Sequence, residues 1–132
     1  MRRFLLTAAT AASALAISAC GDITGVRSVE GVYELRTVNG LSLPVTLNDG
    51  TTVVAGEIEL DSNGDFVDTF QFQEFGSSFV QTDQAFGTWT RSGNEIEFQT
   101  TDGSGRFYTM TWTNGRLIQD TNSGNRYVYQ RF

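Results

Sequence analysis

The sequence contains no histidine, no lysine, one cysteine and one proline. Each scarcity removes some chemistry. Without histidine there is no Ser-His-Asp triad, no Cys-His dyad and no nitrogen-ligated zinc site. A single cysteine forms no intrachain disulfide and no thiolate cluster. All positive side-chain charge comes from nine arginines, set against fifteen acids. They form no basic cluster of the kind that grips nucleic acid, so no nucleic-acid partner is expected. The longest uncharged apolar stretch, residues 4–17, is too short for a comfortable membrane span.

What that stretch does have is context. Met1, Arg2 and Arg3 make a cationic start, the alanine-rich run follows, and the small residues Ser18 and Ala19 stand before Cys20. This is the layout of a secretory signal peptide. Phe4 and Leu5 fall one place too early for a twin-arginine signal, which favours the general secretory route. An ordinary signal, cut near the alanines, would leave Cys20 a free thiol. The segment LAISAC, residues 15–20, instead resembles the lipobox of bacterial lipoproteins. That resemblance implies removal of residues 1–19 and acylation of Cys20 as the new N-terminus. The membrane is then a partner through the acylated cysteine, and more than one acyl chain would make the attachment lasting. The expected location is the bacterial cell envelope, at the outer membrane facing the periplasm, because Gly21 carries no retention charge.

Residues 20–30 are mixed and aperiodic and read as the lipidated cysteine with a short tether. Ten such residues reach at most about 35 Å. From Cys20 onward seven arginines face fifteen acids, a net charge of about −8. That keeps a domain soluble and names no partner.

Residues 31–132 alternate with period two. Tyr33 and Leu35 oppose Glu34 and Arg36, Ile58 and Leu60 oppose Glu57 and Glu59, and Ile96 and Phe98 oppose Glu95 and Glu97. Such alternation is what a half-buried strand requires. Seven pairs interrupt it: Asn39-Gly40, Asp49-Gly50, Asn63-Gly64, Gly93-Asn94, Asp102-Gly103, Asn114-Gly115 and Gly124-Asn125. Asn, Asp and Gly accept the positive φ of tight hairpin turns. The spacing predicts about eight or nine strands, with Pro44 confining its own segment to a short or edge strand. An open meander would leave two exposed edges, and closing it removes both. An all-β antiparallel up-and-down meander, closed into a small barrel of about eight strands, is therefore favoured over a sandwich. The outward Glu and Arg positions suit water better than lipid, which argues against an outer-membrane pore.

The segments GVYELRTVNGLSLPVTL, GEIELDSNGDF, GTWTRSGNEIEF and YVYQRF, in that order, resemble the small lipocalin-like, or calycin-like, domains of bacterial lipoproteins. The resemblance spans residues 31–132. It implies a Gly-x-aromatic first strand, Gly31-Val32-Tyr33, under a last-strand arginine, Arg126 or Arg131. Gly87-Thr88-Trp89 matches the family's letters more closely and lies mid-chain.

Candidate sites follow from parity. Asp61 to Asp65 brush against a calcium loop, but the glycine and the closing acid are misplaced, so a hairpin turn is expected. Asp68 shares the face of Phe66, Phe70 and Phe72. Either a bulge turns it out to water, or it faces inward, where it would suit a cationic group or act as a base of raised pKa. Tyr127, Tyr129 and Arg131 alternate on the last strand, as barrel closure or as a carboxylate clamp. With Tyr33, Asp68, Phe70, Phe72, Trp89, Tyr108, Trp112, Tyr129 and Arg131 as candidate ligand contacts, a small hydrophobic or amphiphilic ligand is the first expectation. A filled barrel that binds another envelope protein, through an apolar patch around Phe75, Phe79 and Phe86, is the second. No pair of carboxylates declares a catalytic role, so a non-enzyme without cofactor or metal is expected.

Overall fold

The computed structural model describes residues 28–132, so the signal segment, Cys20 and most of the tether lie outside the described residues. Ten strands follow one another: β1 (Gly31–Val38), β2 (Leu41–Ser42), β3 (Val45–Thr46), β4 (Thr52–Leu60), β5 (Asp65–Gln73), β6 (Gln81–Ser92), β7 (Glu95–Thr100), β8 (Phe107–Thr113), β9 (Arg116–Asp120) and β10 (Arg126–Arg131). From β4 to β10 each strand pairs antiparallel with the next, and β10 pairs with β1. The cylinder closes where β1 also pairs with β4, from Gly31 opposite Leu60 to Glu34 opposite Glu57. Eight long strands thus form a closed up-and-down barrel with no free edge among them. All ten strands of the closed sheet lie within residues 31–131.

The two extra strands, β2 and β3, are two residues each and flank Pro44 in the connection from β1 to β4. Proline has no N–H to give a ladder, which keeps this segment short. Asn39 and Asn114 adopt positive φ (53° and 49°) and precede positive-φ glycines. This is the conformation the Asn-Gly pairs imply for hairpin turns. Residues 61–65 are likewise the β4–β5 turn, in which the Asn63 side chain accepts from the Asp65 amide at 2.9 Å.

Inward side chains fill one half of the barrel. Tyr33, Ile58, Phe66, Ile96, Phe98 and Leu117 are all at most 1% exposed, and burying each such side chain contributes ~1.5–3 kcal/mol. Phe66 meets Phe98 edge-on at 5.1 Å, and Phe98 stacks on Tyr108 at 4.9 Å. The end of the barrel holding the starts of β1, β5, β7 and β9 is sealed. Tyr33 receives a hydrogen bond from the Trp112 indole at 3.0 Å and donates to the Val29 carbonyl. Arg91 lies over the Trp112 ring at 5.0 Å, and Arg131 donates to the Ser28 carbonyl at 2.6 Å. Residues 28–30, expected to be tether, therefore belong to the domain: Val29 is buried against its floor.

Of the two arginines expected as the lid, the structure selects Arg131. Its guanidinium lies so close above Gly31 that a Cβ there would sit 2.8 Å from Nε. Arg126 starts the same strand at the opposite end, where it makes a two-pronged contact with Asp120 (2.7 and 2.9 Å). Five residues apart on one regular strand, the two arginines take opposite faces as well as opposite ends.

Candidate ligand-binding cavity

The other end is open. Between β5, β6, β8, β9 and β10 a cavity of about 410 Å³ enters the barrel, lined by Asp68, Phe70, Asp83, Ala85, Arg106, Phe107, Tyr108, Gln119, Thr121, Tyr127 and Tyr129. Its size falls within the usual range for small-molecule sites.

Asp68 faces inward. The β4–β5 register runs without a break from Ala55 opposite Gln71 to Leu60 opposite Phe66, and the irregularity lies earlier, between Val53 and Ala55. No bulge therefore turns Asp68 outward, and it keeps the parity of Phe66 and Phe70. Its Oδ2 accepts from the Tyr108 hydroxyl at 3.0 Å. Its Oδ1 is buried and is the only such side-chain polar atom without a partner among the described residues. Leaving a buried acceptor unmatched costs about 1–3 kcal/mol, more when it is charged.

Burial raises the Asp68 pKa to about 6, against the counter-effects of the Tyr108 hydrogen bond and the Arg106 charge; Asp83 adds a further upward push. Tyr108 and Tyr129 are raised as well, first by burial and then by the Asp68 charge. Arg106 reaches the rim through a braced loop. The buried Thr100 hydroxyl accepts from the Arg106 amide at 2.8 Å, and Asp102 accepts from the Ser104 amide at 2.9 Å. The Arg106 guanidinium lies 3.3 Å from the Ser104 hydroxyl and 3.9 Å from Asp102.

A pH signature follows. Folded Asp68 titrates near 6 and an unfolded aspartate near 3.8, so the native state holds more protons between these values. Stability then falls as pH rises through that window, by about 3 kcal/mol at ~1.4 kcal/mol per unit. Asp68→Asn removes this contribution. In urea titrations between about pH 4 and pH 7, the wild type is expected to lose stability relative to the variant as pH rises; parallel profiles would refute the buried, inward carboxylate.

Of the nine side chains that parity nominates, Asp68, Phe70, Tyr108 and Tyr129 line the cavity. Phe72 stands beside Phe70, ring centroids 6.1 Å apart, and stays outside the lining. Tyr33, Trp112 and Arg131 belong to the sealed end, where their polar atoms already hold one another or the 28–29 backbone. Trp89 is there too, its indole donating to the Asp61 carbonyl at 3.0 Å. The carboxylate clamp of Arg131 with Tyr127 and Tyr129 is therefore not formed: Arg131 seals one end while the tyrosines line the other. Tyr127, grouped with Tyr129 by parity, lines the cavity too; Asp83, Ala85 and Gln119 were legible only by extending strand parity to the open ends, and Thr121 lies just past β9. Arg106 sits in a loop and carries no periodic signal.

A larger groove of about 670 Å³ opens on the outer face where β1 and β4 part, among Glu34, Arg36, Glu57, Thr69 and Gln71. Its lining mixes these side chains with Leu35, Leu43, Val54 and Ala55 and holds no unmatched buried polar atom, whereas Asp68 lines the other cavity. The barrel interior is the stronger candidate.

A closed eight-stranded antiparallel meander, plugged at one end beneath a last-strand arginine and open at the other over a cavity, is a lipocalin-like barrel. The protein shares this fold with an uncharacterized protein from Bacteroides eggerthii DSM 20697, at a TM-score of 0.50 and 12% identity over 80% of this chain and 100% of that one. A lipocalin-like protein from Bacteroides uniformis ATCC 8492 is similar at a TM-score of 0.48 and 17% identity, over 79% of this chain and 98% of that one. No family model matches the sequence, and no curated protein does.

Proposed function

We propose that the protein is a lipid-anchored, non-catalytic lipoprotein of the bacterial envelope whose barrel binds a small hydrophobic or amphiphilic molecule. The anchor rests on the order of cationic start, apolar run, small residues and Cys20. The binding role rests on one observation above all. The open half of the barrel keeps a cavity of about 410 Å³ walled by Phe70, Tyr108, Tyr127 and Tyr129, where a purely structural barrel would be filled by its own side chains.

Filling that space tests the reading. Ala85 is buried on the cavity wall, opposite Asp68 in the β5–β6 ladder. Ala85→Phe and, separately, Tyr127→Trp are expected to weaken binding of an uncharged naphthylamine dye by about tenfold or more, since each occupies the space that the dye needs. The melting temperature should change little. Dye affinity unchanged in both folded variants would show that the cavity is not the site.

A second reading has its own observation. Phe75 and Phe79, in the β5–β6 connection at the open end, are 85% and 78% exposed. Exposed aromatics grouped at a mouth suit a partner protein that meets the barrel there. Phe75→Ser with Phe79→Ser would separate the two roles by removing partner capture while sparing dye uptake.

A further inference from the structure

We infer that the cavity selects an amphiphile bearing a primary or secondary ammonium group, which pairs with the unmatched oxygen of Asp68 while its apolar body lies against Phe70, Tyr127 and Tyr129. The inference rests on the cavity being a ligand site and adds the chemistry of the head group.

Three features of the lining favour this class. The first is the acceptor. Asp68 Oδ2 takes its hydrogen bond from Tyr108, and Oδ1 is buried with no donor among the described residues. The barrel has already desolvated the carboxylate on folding, so a ligand donor meets an acceptor that has no water shell to lose. An ammonium supplies both the missing hydrogen and the missing charge, and charge-assisted bonds are about twice as strong as neutral ones.

The second feature is the charge around it. Every strand packed near Asp68 contributes. On β6 stands Asp83, in the loop before β8 stands Arg106, on β8 stands Tyr108, and on β10 stand Tyr127 and Tyr129; Ile58 and Ala85 are its ladder partners. The two carboxylates outnumber the one guanidinium, and Arg106 is turned toward Ser104 and Asp102. A fatty carboxylate would therefore bring like charge against both Asp68 and Asp83, with Arg106 alone to offset it. Arg131, the only arginine among the nominated ligand contacts, is held on the Ser28 carbonyl at the sealed end.

The third feature is the aromatic wall. Phe70 and Tyr127 lie with centroids 5.9 Å apart at 72°, and Tyr129 lines the same cavity. Ring faces attract cations, most strongly where water is excluded.

The test uses residues 21–132, which contain the whole closed sheet, and three ligands of one chain length: decylamine and decanoate below their micelle concentrations and decanol below its solubility limit. Calorimetric titration near neutral pH is expected to rank decylamine at least about tenfold tighter than decanol, with decanoate weakest. Asp68→Asn should erase the preference for the amine, bringing decylamine to within about twofold of decanol on the same variant. Acidification gives a readout on the unaltered protein. As pH falls through about 6, Asp68 gains its proton, and decylamine affinity should fall while decanol affinity holds. Equal affinity for amine and alcohol, or an amine preference that survives Asp68→Asn, overturns the inference and leaves the ligand-site reading standing. Failure of all three ligands to bind overturns both.

Discussion

Replacing Gly87 by alanine is expected to cost about 3 kcal/mol or more and to lower the melting temperature by more than about 10 °C. Gly87 lies mid-strand on β6, paired with Phe66 of β5 on one side and Thr100 of β7 on the other. A Cβ at that position would fall 2.0 Å from the Gln99 carbonyl oxygen and 2.8 Å from the Phe66 ring. A flexible side chain could swing aside, but a ladder carbonyl cannot without parting β6 from β7. Its φ is not among the positive ones, so the requirement is for space and not for an unusual backbone. Gly93 supplies the contrast. It sits in the β6–β7 turn at φ 62° with nothing near its missing Cβ, and Gly93→Ala should cost only about 1 kcal/mol of backbone strain. Thermal unfolding by circular dichroism compares the two. A Gly87→Ala melt within about 2 °C of the wild type would refute the close approach of β6 and β7.

Tyr33→Phe carries the second large effect. The hydroxyl of Tyr33 is the junction of the sealed end, accepting from the Trp112 indole and donating to the Val29 carbonyl. Removing one oxygen leaves a buried donor and a buried acceptor unmatched. At about 1–3 kcal/mol each the loss should reach roughly 2–6 kcal/mol. Loss of the bond should also free residues 28–30 from the barrel floor, so amide exchange at Val29 and Glu30 should rise toward that of open chain. Tyr127→Phe, at a cavity-lining position where the ring is 8% exposed, should be nearly neutral by comparison. Equal stabilities for the two variants would mean that the Tyr33 hydroxyl is not a structural link.

These two positions also show what could be read from the chain alone. The alternation of Tyr33, Leu35, Ile58, Leu60, Ile96 and Phe98 with charged neighbours maps directly onto buried and outward positions, because strand geometry enforces period two. Asn39-Gly40 and Asn114-Gly115 mark turns because few other residues tolerate their φ. Closure followed from the problem of unpaired edges, and β1 does reach both β10 and β4. The expected eight or nine strands became ten because residues 41–46 add two short pairings within a connection.

Depth along the barrel was not legible. Parity puts Tyr33, Trp89 and Trp112 on the same inner face as Phe70, Tyr108 and Tyr129, yet the first three plug one end and the last three line a cavity at the other. Which end a side chain reaches depends on strand direction, stagger and tilt, and those are properties of the closed sheet. Arg106 was missed for a related reason: its place at the rim comes from hydrogen bonds to Thr100 and Ser104 across a loop, with no periodic pattern to announce it. Asp68, by contrast, was singled out by parity alone, and continuous pairing on both sides of β5 decided its direction.

The most direct measurement is mass spectrometry of the protein purified from its own host cells, recorded once under denaturing and once under native conditions. The expected denatured mass is that of residues 20–132 with acyl chains on Cys20, and the native spectrum should add one discrete small molecule that Ala85→Phe displaces. An unmodified Cys20 would contradict the anchor. A native mass without any bound molecule, in a protein that also takes up no apolar dye, would contradict the binding barrel.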